Sequence, residues 1–209
     1  SAQQILYPDA PFDGVEAKRL LEPGSARIEG VAYGFRDDMP ALPVVPVPVR
    51  LKSPLPFNRV PGAGIPVSLF PVTPYLQAWL SLKKKKEGGF TRQFRAQMRD
   101  VPLHVMMSEE ALAHRRVTHA DAKGAFAFEG LKPGRYFLIA HMDFSVQRNR
   151  LNAWDEQAMT AGGPAIVHHQ QWQAYRTRHV PELMAEVEVK ADGETRKVKL
   201  RERIFFLAL

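Results

Sequence analysis

The run Ala120-Asp-Ala-Lys-Gly-Ala-Phe-Ala-Phe-Glu-Gly-Leu-Lys-Pro-Gly-Arg-Tyr-Phe-Leu-Ile-Ala140 decides the fold class. Two short runs of alternating apolar residues, 125–128 and 135–140, are split by Gly130 and by Pro133-Gly134, the residue types that turns demand. This spacing predicts two antiparallel strands joined as a hairpin. Asp121 and Gly124 supply a tight turn ahead of the first strand, because an Asp side chain accepts from nearby amides and Gly tolerates positive φ. Phe126 and Phe128 share one face, with Leu131 beneath the turn. In the second strand Tyr136, Leu138 and Ala140 face one way and Phe137, Ile139 and His141 the other, and both sets start apolar. That predicts a strand covered on both faces, by the sandwich interior and by a second layer from the proline-rich segment and the chain after residue 145.

The pattern Thr118, Asp121, Gly124, Phe126, Phe128, Leu131, Pro133, Gly134, Tyr136 and Leu138 resembles the core motif of carboxypeptidase-regulatory-like domains. An upstream run, Ala63-Gly-Ile-Pro-Val-Ser-Leu-Phe-Pro-Val-Thr-Pro-Tyr75, is similar to the strand that opens many of them, which extends the resemblance over about residues 26–141. The resemblance implies a prealbumin-like (transthyretin-like) antiparallel β-sandwich and a non-catalytic folding, docking or binding role; it says almost nothing about a reaction.

Around this centre, residues 1–25 read as an extended arm interrupted by Pro8, Pro11 and Pro23. Residues 26–209 then read as one elaborated sandwich domain, mostly β, with one to three short helices. Ala26 to Phe35 is the first strand. A proline-rich insertion covers about residues 36–62, where Leu42 to Arg50 suits an edge strand or polyproline strap. Tyr75, Leu76, Trp79, Leu80 and Leu82 fall at helical spacing after Pro74, and Ser108 could cap a second short helix, although its neighbours also fit a strand. A helical or irregular insertion is expected over about residues 147–180, with residues 150–161 presenting Leu151, Trp154, Ala158 and Met159. Residues 185–190 and 196–201 alternate around Ala191-Asp-Gly193, a second hairpin. Ile204 to Leu207 reads as a terminal strand whose free edge could recruit a second copy of the chain.

Composition narrows the function classes. The chain has 209 residues, 45% of them hydrophobic, and lacks the run of about 18 apolar residues that a membrane helix needs. Zero Cys removes disulfides, thiolate metal sites and Cys nucleophiles together. The opening Ser1-Ala-Gln-Gln4 suits a mature end left after leader removal, so a periplasmic or secreted location, with a lipid anchor in the precursor as a variant, is the expectation. A net charge of +7 points to an anionic partner. The expected contact surface is Lys83, Lys84, Lys85 and Lys86, read as an exposed loop, with Trp79, Phe90, Arg92, Arg95 and Arg99 beside it. Its partner would be a protein or an anionic envelope polymer. Stacking plus charge also suits single-stranded nucleic acid, although no nucleic-acid motif accompanies it.

The search for chemistry centres on seven histidines. His168 and His169 are adjacent, so on a strand they point to opposite faces. A metal-enzyme alternative comes from a second resemblance: Tyr136 and the segment Ala140-His-Met-Asp-Phe-Ser-Val146 are faintly similar to the ferric ligand region of intradiol ring-cleaving dioxygenases. Asp143 stands where that family places a second His, and Tyr136 is too near His141. The candidate ligands would be Tyr136, His141, His168 and His169. No cofactor is expected, no phosphate loop, Ser elbow or zinc-helix motif is present, and no catalytic residue is nominated.

Overall fold

In a computed structural model of the chain, residues 4–36, 59–87 and 103–202 are described, and they fall into two compact units. The first comprises residues 1–34, 61–141 and 182–209, the second residues 35–60 and 142–181. The proline-rich strap, Phe90, Arg92, Arg95, Arg99 and the strand expected at 204–207 lie outside the described residues.

The first unit is built on a curled, largely antiparallel sheet, in agreement with the expected β-sandwich. Its strands are β2 (Ala26–Phe35), β3 (Arg59–Pro61), β4 (Pro66–Pro71), β6 (Arg116–His119), β7 (Ala125–Leu131), β8 (Gly134–His141), β11 (Glu182–Val189) and β12 (Thr195–Glu202). They run in the order β3-β2-β12-β11-β8-β4-β6, with β7 added on β2. The β12–β2 pairing is parallel.

The quoted stretch forms two strands, but not a hydrogen-bonded hairpin. β7 pairs with β2, while β8 lies between β11 and β4. The link 130–134 therefore arches between two parts of the sheet. Gly130 makes this possible with φ +65°, and its carbonyl accepts from Gly24 N–H at 3.1 Å. The preceding turn is as expected: Asp121 Oδ1 accepts from Lys123 and Ala125 N–H, both at 2.8 Å, and Gly124 has φ +81°. The second hairpin also forms, with Gly193 at φ +71° and the Glu194 carboxylate receiving Lys190 N–H at 2.6 Å.

Both faces of β8 are covered at its centre, as its sequence requires, while Arg135 and His141 at its ends are exposed. One carries Tyr136, Leu138 and Ala140 in register with Leu69 and Val67 of β4 and with Leu183 of β11. The other carries Phe137, and its cover is helical. Helix α2 (Pro74–Glu87) and α3 (Glu109–Ala113) pack Tyr75, Leu76, Trp79 and Ala111 with Phe70, Val105, Met107 and Phe137. Ser108 caps α3, accepting from Ala111 N–H at 3.2 Å.

The N-terminal segment departs from the expected extended arm. Strand β1 (Gln4–Leu6) pairs in parallel with β5 (Leu103–Val105), and α1 spans Gly14–Leu20. Pro11 and Pro23 leave room for two helical turns between them, and Asp13 starts the helix by accepting from Val15 and Glu16 N–H at 2.9 and 3.0 Å. Leu6, Ala10 and Phe12 pack against the helical core cluster.

Among the described residues the second unit carries a two-stranded ribbon, β9 (Phe144–Thr160) with β10 (Gly163–His179), paired without a break from Phe144↔His179 to Thr160↔Gly163. The helix expected at 150–161 is therefore a strand. Gly162-Gly163, which reads as a helix stop, instead belongs to a tight hairpin turn with Gly163 at φ +105°. Each strand has 17 residues, so the ribbon is about 55 Å long at ~3.3 Å per residue.

Candidate functional site

The structure separates the residues of the expected contact surface. Trp79 is only 4% exposed and meets Phe137 edge-on at 5.8 Å, so it belongs to the core and offers no surface to a partner. Lys83, Lys84, Lys85 and Lys86 are not a loop but the last turns of α2. Lysine is a good helix former, and cations at a helix C-terminus complement its dipole. Lys83 lies 5.3 Å from the Trp79 ring centroid, 2.6 Å from Glu87 Oε2 and 3.2 Å from Glu182 Oε1. Its charge is thus used internally, whereas Lys84 and Lys85 remain exposed.

The alternative metal ligands each have another partner. Tyr136 is buried, its hydroxyl donates to the Lys132 carbonyl at 2.7 Å, and burial pushes its pKa up. His141 Nε2 lies 3.1 Å from Glu182 Oε2. His168 Nδ1 lies 2.6 Å from Asp155 Oδ1, and His169 Nε2 approaches Glu156 Oε2 at 2.9 Å. His168 and His169 do point to opposite faces, because they sit next to each other on β10. Among the described residues no group of three or more His, Asp or Glu is placed to hold a metal.

The ribbon supplies a surface that the sequence reading missed. One face carries Trp154 across from His169, with Asn152 across from Gln171 and Gln173 next to it. Asn152 donates to Gln173 Oε1 at 2.8 Å, and the Trp154 and His169 rings stack at 5.2 Å with an interplanar angle of 12°. The opposite face carries Trp172 across from Leu151, Gln170 across from Ala153, and His168 across from Asp155. Trp154 is 45% and Trp172 61% exposed. Both indoles are held by a hydrogen-bonded ladder and yet are open to solvent.

The chemistry of this surface is aromatic and amide, not cationic. Between Arg150 and Arg176 the chain has no Lys or Arg, although it has 29 elsewhere. The same interval holds Trp154, Trp172, Tyr175 and the amides Asn152, Gln157, Gln170, Gln171 and Gln173, and its two acids, Asp155 and Glu156, each face a histidine. Each amide both donates and accepts, and an indole face attracts polarised C–H groups. Such a surface can hold a ligand with many hydroxyls and apolar ring faces.

The described residues thus comprise a curled β-sandwich and, in the second unit, an aromatic, amide-rich ribbon. No protein-family model and no curated protein matches the chain. Among solved structures it is similar to a protein of Pseudomonas aeruginosa named as a candidate carbohydrate-binding protein, with a TM-score of 0.52 and 16% identity, covering 92% of this chain and 99% of that one. At this identity the likeness shows a shared fold. No helix among the described residues is long and apolar enough to cross a membrane.

Proposed function

We propose that the protein is a non-catalytic binding module of the bacterial cell envelope and that its ligand is a carbohydrate polymer seated on the β9–β10 ribbon. The observation that carries this reading is the exposure of Trp154 and Trp172 within a 25-residue interval free of Lys and Arg and rich in amides. Pyranose rings present an apolar C–H face to an indole and a hydroxyl rim to Asn and Gln, so this side-chain set matches a sugar better than a phosphate or sulfate polymer. The name of the Pseudomonas neighbour agrees with the same ligand class. The reading replaces an anionic polymer with a hydroxyl-rich one at the ribbon, and it keeps the expectation of a module without catalysis.

The test is a titration of intrinsic tryptophan fluorescence with soluble gluco- and chito-oligosaccharides, paired with co-sedimentation on purified peptidoglycan. The expected result is binding that changes little between 50 and 500 mM salt, returns the glycan uncleaved, and weakens about tenfold in Trp172→Ala and in Trp154→Ala. Binding to none of these glycans, or binding by both variants as tight as that of the wild-type protein, would overturn it. Fractionation of cells checks the location separately.

A further inference from the structure

The ribbon of the second unit has open strand edges. Among the described residues β9 and β10 pair only with each other, so each presents one row of backbone N–H and C=O groups to solvent. Val146, near the base of β9, is fully buried, but every residue from Ala153 to Gln157 is exposed. Two strands alone are marginal in water, and this pair also exposes Leu151, Met159, Ile166 and Trp172. The ribbon is thus a template for a further strand.

The two edges are not equivalent. β10 contains no Asp or Glu, and its Pro164 has no N–H to donate. Two copies meeting along β10 would bring only histidines and arginines together. β9 carries both signs, with Arg150, Asp155 and Glu156 close in sequence. Arg150 makes no ion pair among the described residues. Glu156 meets His169 Nε2 through Oε2 at 2.9 Å, and a carboxylate has a second oxygen with which to accept.

Two-fold symmetry restricts which residues of β9 can meet. Two identical strands pair antiparallel about an axis normal to the sheet, which keeps like faces together, so residues across from each other are an even number apart in sequence. Arg150 and Glu156 satisfy this condition, whereas Arg150 and Asp155 do not. Arg150 lies across from Glu156 when the axis passes through Ala153, and symmetry then makes the pair twice. The same register sets Asn152 across from Trp154, and it makes the two Trp154 indoles diagonal neighbours on one face. Ala153 is small enough to meet its own copy at the axis.

We infer that β9 pairs along residues 150–156 with β9 of a second copy of the chain, joining two ribbons into one four-stranded antiparallel sheet. Backbone hydrogen bonds supply the affinity, and the two Arg150–Glu156 pairs fix the register. Edge pairing leaves both faces of the sheet open, so it needs no glycan and does not rest on the carbohydrate reading.

The test is analytical ultracentrifugation of the full chain without glycan. The expected result is a dimer whose dissociation constant rises about tenfold or more in Arg150→Glu and in Glu156→Arg, because like charges then stand opposite each other. The double variant Arg150→Glu/Glu156→Arg should regain the wild-type value. The chain has no Cys, so Ala153→Cys places one thiol at the axis. Directly opposed residues of an antiparallel pair lie within disulfide range, and mild oxidation should cross-link this variant. Gln170→Cys, across the ribbon from Ala153 on β10, should stay uncross-linked. A monomer at all concentrations up to about 100 µM, unchanged dimers in the single charge variants, or no recovery in the double variant would overturn the proposal. So would cross-linking at 170 as fast as at 153. Trp172→Ala should dimerise as the wild-type protein does, so this proposal and the carbohydrate reading fail separately.

Discussion

Lys83 Nζ and Glu182 Oε1 stand 3.2 Å apart, an ion pair that fastens the last turns of α2 to strand β11. Burial pushes the Glu182 carboxyl up, but the His141 hydrogen bond and the Lys83 charge outweigh it and hold it below its ordinary value of 4.5. A carboxyl lowered in the folded state stabilises the fold fully above the unfolded value, and the gain is lost as pH falls through the folded one. Glu182→Gln should therefore cost about 1–2 kcal/mol at pH 7. Thermal melts from pH 7 to pH 3 should show the difference from wild type shrinking below about pH 4.5. A constant difference over that range would contradict this account.

Gly124 is a position where only glycine fits. Its φ of +81° is strained for any L side chain, and an added Cβ would stand 2.4 Å from the Ala32 carbonyl oxygen. Backbone cannot yield as a flexible side chain can. Gly124→Ala should cost at least about 2 kcal/mol, or roughly 5 °C or more in Tm for a chain of this size. Gly64→Ala is the contrast, since φ is +69° there but nothing lies within 4 Å of the added atom. It should cost only the conformational part, about 1 kcal/mol.

These positions show which parts of the fold were legible in the sequence. The Asp121–Gly124 turn was legible because its hydrogen bonds close within four residues. Trp79 belongs to the core and not to the contact surface expected of it, although its helical spacing with Tyr75 and Leu76 also suits a core stripe. The partner of β7 was not, because a Pro-Gly link fits a hairpin and an arch equally, and the choice rests on distant contacts such as Gly24 with Gly130. Residues 150–161 were misread because Leu151, Trp154 and Ala158 fit a helical period, while their register is fixed by partners on β10. The run of Lys83 to Lys86 looked like a loop because Gly88-Gly89 follows, although lysine itself favours helix. A usable signal for the ribbon surface was present: 25 residues without Lys or Arg in a strongly basic chain.

The ribbon and β8 should differ in hydrogen-exchange protection. β8 is paired on both edges and covered on both faces, whereas among the described residues β9 and β10 pair only with each other and are exposed along most of their length. A two-stranded ribbon is held by its ladder and by cross-strand pairs such as Trp154 with His169. Exchange followed by mass spectrometry should therefore show residues 151–175 opening well before 135–140. Saturating glycan should slow exchange in the ribbon alone. Equal protection of the two regions in the free protein would count against this description.

Trp79 and Trp172 separate structural from binding indoles. Trp79 fills the cluster between α2 and β8, so Trp79→Ala should cost about 3–5 kcal/mol and lower Tm by roughly 10 °C. Its Nε1–H is buried without an acceptor among the described residues, so Trp79→Phe gives up no hydrogen bond there and should recover most of that stability. Trp172 is 61% exposed, and its ring meets solvent instead of a packed neighbour. Trp172→Ala should change stability by no more than about 0.5 kcal/mol while reducing glycan binding about tenfold. Denaturant melts and fluorescence titrations on the same three variants check both halves. If Trp172→Ala lowered stability as much as Trp79→Ala, the ribbon indole would be a packing residue, and the binding surface assigned to it would be lost.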